Sequence, residues 1–150
     1  MIFTILFGAF IFGYFISVSM LPLWLSRTLS EAGLSPYVLL IAIIVLYLIL
    51  GCFMEFVSMM VLTLPIIYPL LIAMGFDPIW WGVVMVVLLE TAQITPPVGI
   101  NVFTIKSVAP DIPIGTIFKG VLPFFGTMFV CIALLIIFPQ IATFLPSIMK

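Results

Sequence analysis

The chain has 150 residues, of which 66% are hydrophobic and 6% are charged, and its net charge is −1. A soluble domain carries about 25% charged residues, so this composition excludes a water-facing globular surface. The sequence contains no histidine and no basic patch, which argues against nucleic acid as a partner and predicts an integral membrane protein in contact with membrane lipid.

The first predicted element is a membrane-spanning helix over residues 1–25, an uncharged apolar run long enough to cross a bilayer. Pro22 stands near its end, where a stop or kink costs little. A polar loop over 26–36 follows. The chain begins directly on this helix without the positive region of a signal peptide, and we expect Met1 to be an internal cut in a longer protein.

Residues 37–74 predict a re-entrant helical hairpin. The apolar run 37–54 enters, EFVSMM at 55–60 forms a polar tip, and the run 61–74 returns with two prolines. Apolar runs of about 10–14 residues are more often re-entrant or buried than spanning, and the returning run is that short. Two ordinary spans joined by a tight turn are the alternative.

The next predicted element is a discontinuous helix over 79–109. GFDP at 75–78 predicts a tight loop before it, in which Asp77 caps the helix and Pro78 occupies its first turn. The segment TAQITPPVGIN at 91–101 interrupts the helix near its middle. A proline kink without a ligand is the alternative to a functional break.

The last predicted helix covers 120–149, and Pro139 and Pro146 are expected to end or bend it. Together the elements predict an all-α integral membrane protein with spanning helices, a re-entrant hairpin and a discontinuous helix.

The interruption at 91–101 has the composition of an ion site. Pro96 and Pro97 lack N–H groups and leave carbonyls one turn back without helical donors, while Gly99 permits a close backbone approach. Irregular backbone persists inside a membrane only when it is buried in protein or lines a cavity. The carbonyl end of one half-helix suits Na⁺, and the amide end of the other suits a carboxylate. Further polar side chains at the break are Thr91, Gln93, Thr95 and Asn101.

Two acidic residues, Glu55 and Glu90, lie in or near the predicted membrane segments, where carboxylates are costly and usually functional. Glu55 stands beside Ser58 at the predicted tip, where the pair could complete an ion shell or set a gate. The alternatives are a tip in contact with water for Glu55 and a hydrogen bond to a neighbouring helix for Glu90. Two interrupted segments facing one another indicate a secondary transporter.

Three segments carry a resemblance to a known family: GCFMEFVSMMVLTLPIIYPLL at 51–71, the run from GFDP through TPPVGIN to GVLPF at 75–124, and FPQIATFLP at 138–146. They resemble the C-terminal part of the large membrane subunit of tripartite ATP-independent periplasmic (TRAP) transporters, of the DctM type. The resemblance covers nearly the whole chain and implies half of an inverted-repeat elevator transporter.

The resemblance implies Na⁺-coupled import of organic acids such as C4-dicarboxylates across the bacterial inner membrane, by a multi-pass permease that is not an enzyme and has no covalent cofactor. It implies a periplasmic solute-binding protein of the DctP type and a small membrane subunit of the DctQ type as partners. The sodium site that it implies, built mostly from backbone oxygens, comprises Ser58, Met59, Thr95, Pro97, Gly99 and Val102.

We predict that Glu55 and Asn101 lie at the substrate or gate. The family usually carries an aspartate where Glu55 stands, and the additional methylene changes the reach of the carboxylate. Three other interpretations stay open: a Na⁺- or H⁺-coupled carboxylate transporter without a binding protein, an inactive fragment, and an intramembrane hydrolase that uses Glu55 and Glu90 as an acid pair.

Overall fold

The computed structural model describes residues 2–31, 33–96 and 99–149. Within these ranges the ordered elements are all helices, which confirms the predicted fold class. In chain order they are α1 (Ile2–Val18), α2 (Leu21–Glu31), α3 (Pro36–Leu50), α4 (Phe56–Ala73), α5 (Pro78–Gln93), α6 (Ile100–Val108), α7 (Ile114–Ile137) and α8 (Gln140–Ile148).

The segment predicted as one span over 1–25 consists of two helices, α1 and α2, with a bend of 56° between them. The bend lies at Ser19 and Met20, and Met20 has a positive φ of 56°. Pro22 falls in the first turn of α2, where its missing N–H costs no hydrogen bond. Residues 26–31, predicted as loop, are therefore the second half of α2, because nothing after Pro22 interrupts it.

The predicted hairpin has two helical arms, α3 and α4, joined by residues 51–55, which we call the hairpin tip. The tip lies earlier than predicted, because residues 56–60 form the first turn of α4 instead of an interruption. Helix α4 continues through Pro65 and Pro69 to a length of 18 residues. The prediction of re-entry depended on the shortness of the run 61–74. In the folded protein this run belongs to an 18-residue helix, so that argument for re-entry does not hold.

Two helices in the described ranges, α4 and α7, are long and apolar enough to cross a membrane, and the bent pair of α1 and α2 is a third if it forms one span. Their mean hydropathies, 2.2 for α4 and 2.5 for α7, are those of a membrane protein. Helix α3 has 15 residues. At about 1.5 Å per residue it rises about 22 Å, less than the hydrocarbon thickness of about 30 Å.

Helix α5 lies at the centre of the molecule, because it packs against α3, α4, α7 and α8. Helices α1 and α2 pack against α4, and α6 packs against α7. The most deeply buried side chains at this centre come from α3, α4 and α5, and include Leu40, Tyr47, Met59, Leu71, Trp81, Val84, Leu88 and Leu89.

The start of α5 confirms the predicted cap. The Asp77 carboxylate accepts hydrogen bonds from the N–H groups of Ile79 at 2.8 Å and Trp80 at 2.9 Å, and Pro78 occupies the first helical position. Near the opposite end of the chain, the last apolar helix is interrupted at Pro139, as predicted. Helix α7 ends just before Pro139, and α8 starts just after it.

Trp80 connects the centre of the molecule to α7. Its indole N–H donates to the Leu135 carbonyl over 2.6 Å. That carbonyl has no helical donor four residues on, because the residue there is Pro139. The indole therefore satisfies a main-chain acceptor that the proline leaves open, and it ties α5 to α7.

Candidate functional site

The hairpin tip lies directly against the C-terminal end of α5. Gly51, the first tip residue, is buried next to Ala92. A Cβ atom at Gly51 would overlap the Ala92 side chain and lie 2.7 Å from both the carbonyl carbon and the carbonyl oxygen of Ala92. Real Cβ atoms do not approach other atoms so closely, so glycine permits this contact between the tip and the main chain of α5.

A groove of about 360 Å³ continues from this contact along the break in the discontinuous helix. We call it the tip–break groove. It is lined by the second half of α3, the hairpin tip and the first residues of the break, namely Val45, Leu48, Ile49, Cys52, Phe53, Thr95 and Pro96. Thr95 supplies the hydroxyl group in this otherwise apolar lining.

The break itself separates α5 from α6, as predicted for the discontinuous helix. At its start the Ile94 N–H donates to the Thr91 carbonyl at 3.2 Å, and the Thr95 N–H donates to the Ala92 carbonyl at 3.3 Å. Both bonds join residues three positions apart, so the last turn of α5 has the hydrogen bonding of a 3₁₀-helix. The Gln93 carbonyl would need a donor from Pro97, which has no N–H. The Gln93 carbonyl at the end of α5 is therefore left without a helical donor.

Gly99 begins α6 in a conformation that favours glycine, with φ of +48°. It is buried, and a Cβ atom there would lie 3.3 Å from both the Gln93 carbonyl oxygen and a methyl group of Val102. The chain thus folds back tightly onto the end of α5. The Gly99 carbonyl accepts from the N–H of the fully buried Val102 at 2.9 Å.

The hydroxyl groups of Thr91 and Thr95 near the break already donate their protons in hydrogen bonds. The Thr95 hydroxyl donates to the Thr91 carbonyl at 2.8 Å, and the fully buried Thr91 donates in turn to Val87 at 2.6 Å. A hydroxyl that donates within its own helix keeps oxygen lone pairs for another partner. Thr95 can therefore act as an acceptor toward a cation in the tip–break groove.

Glu55 caps α4. One carboxylate oxygen accepts from both the N–H and the hydroxyl of Ser58 at 2.9 Å, and the other accepts from the Val57 N–H at 3.2 Å. The carboxylate thus satisfies amides that the first turn of a helix leaves without partners. This cap explains why EFVSMM starts a helix instead of interrupting one.

Met59 is fully buried, and its carbonyl accepts from the Thr63 hydroxyl at 2.7 Å. Tyr47 on α3 lies 2.6 Å from the same Thr63 oxygen. Because the Thr63 hydroxyl proton is used on Met59, Tyr47 is the donor in this second bond. These hydrogen bonds connect the two hairpin arms, α3 and α4. They also engage the carbonyl of Met59, a residue of the sodium site that the resemblance implies.

The structure gathers the remaining predicted residues into two groups. Ser58 and Met59 lie in the first turn of α4 with their cap Glu55, and Thr95 and Gly99 lie at the break. Asn101 is half-buried in the first turn of α6, next to Val102. Pro97 lies outside the described residues. Glu90 is exposed on α5.

Sequence reasoning missed the tip residues that meet the break: Gly51, Cys52 and Phe53. Ser58 and Met59 do not line the tip–break groove. The available signal was the glycine at the end of an apolar run, because isolated glycines often mark a close backbone approach. In the described part of this region the oxygen atoms are hydroxyls, main-chain carbonyls, the side-chain amides of Gln93 and Asn101 and the Glu55 carboxylate, which are ligands of hard cations.

Comparison with known proteins gives consistent matches. A family model described as "Tripartite ATP-independent periplasmic transporter, DctM component" matches residues 1–141. The chain is 34% identical over 149 residues to the C4-dicarboxylate TRAP transporter large permease protein DctM of Vibrio cholerae, covering 99% of this chain and 33% of that protein. It is 34% identical over 141 residues to the sialic acid TRAP transporter large permease protein SiaM of the same organism, covering 94% of this chain and 33% of that protein.

A third relative is the isethionate TRAP transporter permease protein DctMQ of Oleidesulfovibrio alaskensis, 33% identical over 148 residues, which are 99% of this chain and 22% of that protein. The chain spans about a third of the length of the first two relatives. All of these relatives are transporters and none is an enzyme, in agreement with the prediction from sequence.

Proposed function

This chain belongs to the family of DctM components of TRAP transporters, and we propose that it forms part of a large membrane permease that imports organic acids with Na⁺. The observation that carries the proposal is the contact between the hairpin tip and the end of α5 at Gly51 and Ala92. It places an interrupted hairpin against an interrupted helix, the arrangement that secondary transporters use at their ion and substrate sites.

The sodium ion is proposed to bind where hydroxyl and main-chain oxygens are available for a cation. Thr95 keeps its lone pairs, and the Gln93 carbonyl at the end of α5 has no helical donor, because Pro97 lacks an N–H. Ser58 offers a hydroxyl oxygen whose proton is held by Glu55. These groups fit a monovalent cation that takes neutral oxygen ligands, and Gly51 and Gly99 provide the close main-chain approach that such a site needs.

The chain runs from α3 through the tip to α4, and we propose that this hairpin is re-entrant. Helix α3 is too short to cross the hydrocarbon core, and the tip ends beside a break in another helix. The hairpin, the broken helix α5–α6 and α7 then move together, because α5 packs against both α3 and α7. This movement is proposed to give alternating access of the elevator type.

The substrate is proposed to be an organic acid. The names of the relatives include a C4-dicarboxylate, sialic acid and isethionate, which are all organic anions. A C4-dicarboxylate is our first choice for this chain, with Asn101 and the amide end of α6 available to a carboxylate. The proposed partners are a periplasmic solute-binding protein and a small membrane subunit, and the proposed location is the bacterial inner membrane.

Uptake of radiolabelled succinate into proteoliposomes that hold the assembled transporter and its binding protein tests this function. An inward Na⁺ gradient should drive accumulation, and an equal K⁺ gradient should not. Accumulation without the binding protein would favour a carboxylate carrier that works alone. Equal uptake with Na⁺ and K⁺ would contradict sodium coupling, and labelled sialic acid and isethionate in parallel would test the choice of substrate.

A further inference from the structure

Helix α2 presents one apolar and charged face to its surroundings. It packs against α4, and the residues on its outer face are all exposed, namely Leu23, Trp24, Arg27, Thr28 and Glu31. Residues three and four positions apart are neighbours on a helix surface, so these positions form one stripe along α2. Large apolar side chains beside a guanidinium group are typical of helices that lie at a membrane interface.

The bend between α1 and α2 sets the depth of this face in the membrane. Helix α1 has 17 residues, which rise about 26 Å and nearly cross a hydrocarbon core of about 30 Å. Arg27 is the first charged residue in the chain. We place the 56° bend at the edge of the hydrocarbon core, because tryptophan and arginine side chains are typical of the headgroup level.

The bend is held by hydrogen bonds of its own. The Ser19 hydroxyl donates to the Ile16 carbonyl at 2.9 Å and accepts from the Leu21 N–H at 3.4 Å, which joins the end of α1 to the start of α2. The Met20 carbonyl accepts from the Trp24 N–H at 3.0 Å, although φ at Met20 is +56°. A non-glycine residue keeps such a conformation only where the surrounding structure fixes it. The side chains that follow the bend therefore have a defined arrangement.

A groove of about 290 Å³ lies on the outer side of this bend, and we call it the bend groove. It is lined by Met20, Leu23, Trp24 and Arg27. Arg27 is the one charged side chain in the described lining, and Glu31, one turn further along α2, is not part of that lining. Three apolar side chains beside one guanidinium group match an acyl chain attached to a phosphate, and an arginine can bind two phosphate oxygens at once.

We propose that the bend groove binds one anionic phospholipid, with its phosphate on Arg27 and the upper part of an acyl chain against the apolar lining. Charge complementarity selects this ligand, since the one cation of the groove meets the one negative charge of a phosphatidylglycerol headgroup. The site does not depend on sodium coupling. Because α2 packs against α4, an arm of the hairpin, the bound lipid would fix the level of the hairpin in the bilayer.

Oxidation of Met20 by hydrogen peroxide measures occupancy of the groove. Met20 is 61% exposed, and a covered thioether is oxidised more slowly than an exposed one. The assembled transporter is purified in detergent and depleted of lipid. Dioleoylphosphatidylglycerol is then added, and mass spectrometry reads the sulfoxide at each methionine. The lipid should slow oxidation of Met20 relative to Met149, which is 79% exposed and serves as the internal reference.

Variants at two basic residues test the role of the guanidinium group. Arg27→Gln should raise the half-protecting lipid concentration about 5-fold, the loss expected for one basic side chain at a lipid surface, and Arg27→Lys should stay within about 2-fold of the parent. Lys119→Gln is the matched control, because it removes an exposed cation from α7, outside the described lining of the groove. It should also stay within about 2-fold. Equal rises in Arg27→Gln and Lys119→Gln would indicate a general attraction between charges and would overturn the inference.

Two further probes separate the lipid from its parts. Dioleoylglycerol has the same acyl chains without the phosphate, and its weaker protection of Met20 should be the same in the parent and in Arg27→Gln. Glycerol phosphate has the phosphate without acyl chains and should not protect Met20. Full protection by glycerol phosphate would indicate a site for a soluble anion. Slow oxidation of Met20 before any lipid is added would indicate that another part of the transporter covers the groove. Either result overturns the inference and leaves the proposed transport function intact.

Discussion

Gly51 and Ala92 bring the hairpin tip and the end of α5 into main-chain contact, with no room for a side chain at Gly51. The contact joins two segments that are far apart in sequence and that each interrupt an apolar helix. Two residues close to it in sequence, Cys52 of the tip and Thr95 of the break, line the tip–break groove. The proposed sodium site therefore depends on how closely the tip approaches the break.

Gly51→Ala should abolish most sodium-driven uptake. The added methyl group would lie 2.7 Å from the main chain of Ala92, so the tip must move away from α5. Gly120→Ala is the control, because a Cβ atom at Gly120 meets nothing within 4 Å and alanine is the better helix former in α7. Uptake in proteoliposomes and the amount of inserted protein are measured together. Normal uptake by Gly51→Ala would show that the close approach is not needed.

Gly99→Val should also abolish transport while the protein still inserts. A side chain at Gly99 meets the Gln93 carbonyl and Val102 at 3.3 Å, and φ is +48°. Gly75→Val separates the effect of backbone strain from that of steric crowding, because Gly75 has a φ of +89° but open space around a Cβ atom. Gly75→Val should lose some thermal stability and retain uptake. Equal loss of uptake in both variants would assign the effect to backbone strain and not to the break.

Trp80→Phe should lower the stability of the transporter by about 1–3 kcal/mol, because it leaves the Leu135 carbonyl without its donor. The neighbouring Trp81 provides a matched control. Its indole N–H is buried without a hydrogen-bond partner among the described residues. Trp81→Phe should therefore cost less than Trp80→Phe, since no bond is lost. Thermal unfolding in detergent measures both, and the reverse order would contradict the assignment.

Tyr47→Phe should weaken the connection between the hairpin arms by about 0.6–1.5 kcal/mol, the range for one hydrogen bond between membrane helices. The fully buried Tyr47 donates its hydroxyl proton to the half-buried Thr63 at 2.6 Å. A cycle with Thr63→Val tests the pair, and the two substitutions should be less than additive. Additive losses would mean that the two hydroxyls stabilise the hairpin separately.

Much of this architecture follows from local sequence signals. Asp77 and Pro78 start α5 because an aspartate cap and a proline in the first turn satisfy the same unpaired amides that any helix start presents. The break before Gly99 follows from two consecutive prolines, and Pro139 ends α7 for the same reason. These elements depend on a few neighbouring residues, so periodicity and turn chemistry predict them.

Other features depend on contacts between distant residues. The bend at Met20 puts a non-glycine residue at positive φ, which no local pattern indicates. The hairpin tip lies at Gly51 because Ala92, which is distant in sequence, approaches it there. Trp80 and Trp81 are adjacent and both buried, but only the packing of α7 distinguishes their indole groups.

We propose that sodium, bound between the hairpin tip and the helix break, holds the tip closed, and Cys52 reports on this closure directly. Cys52 is buried in the tip–break groove, and Cys131→Ala removes the other cysteine of the chain. The measurement is the rate at which a maleimide modifies Cys52 in the assembled transporter, read by mass spectrometry in NaCl and in KCl. Modification should be slower in NaCl than in KCl, and a Gly51→Ala variant should lose this protection. Equal rates in the two salts for the parent transporter would contradict it.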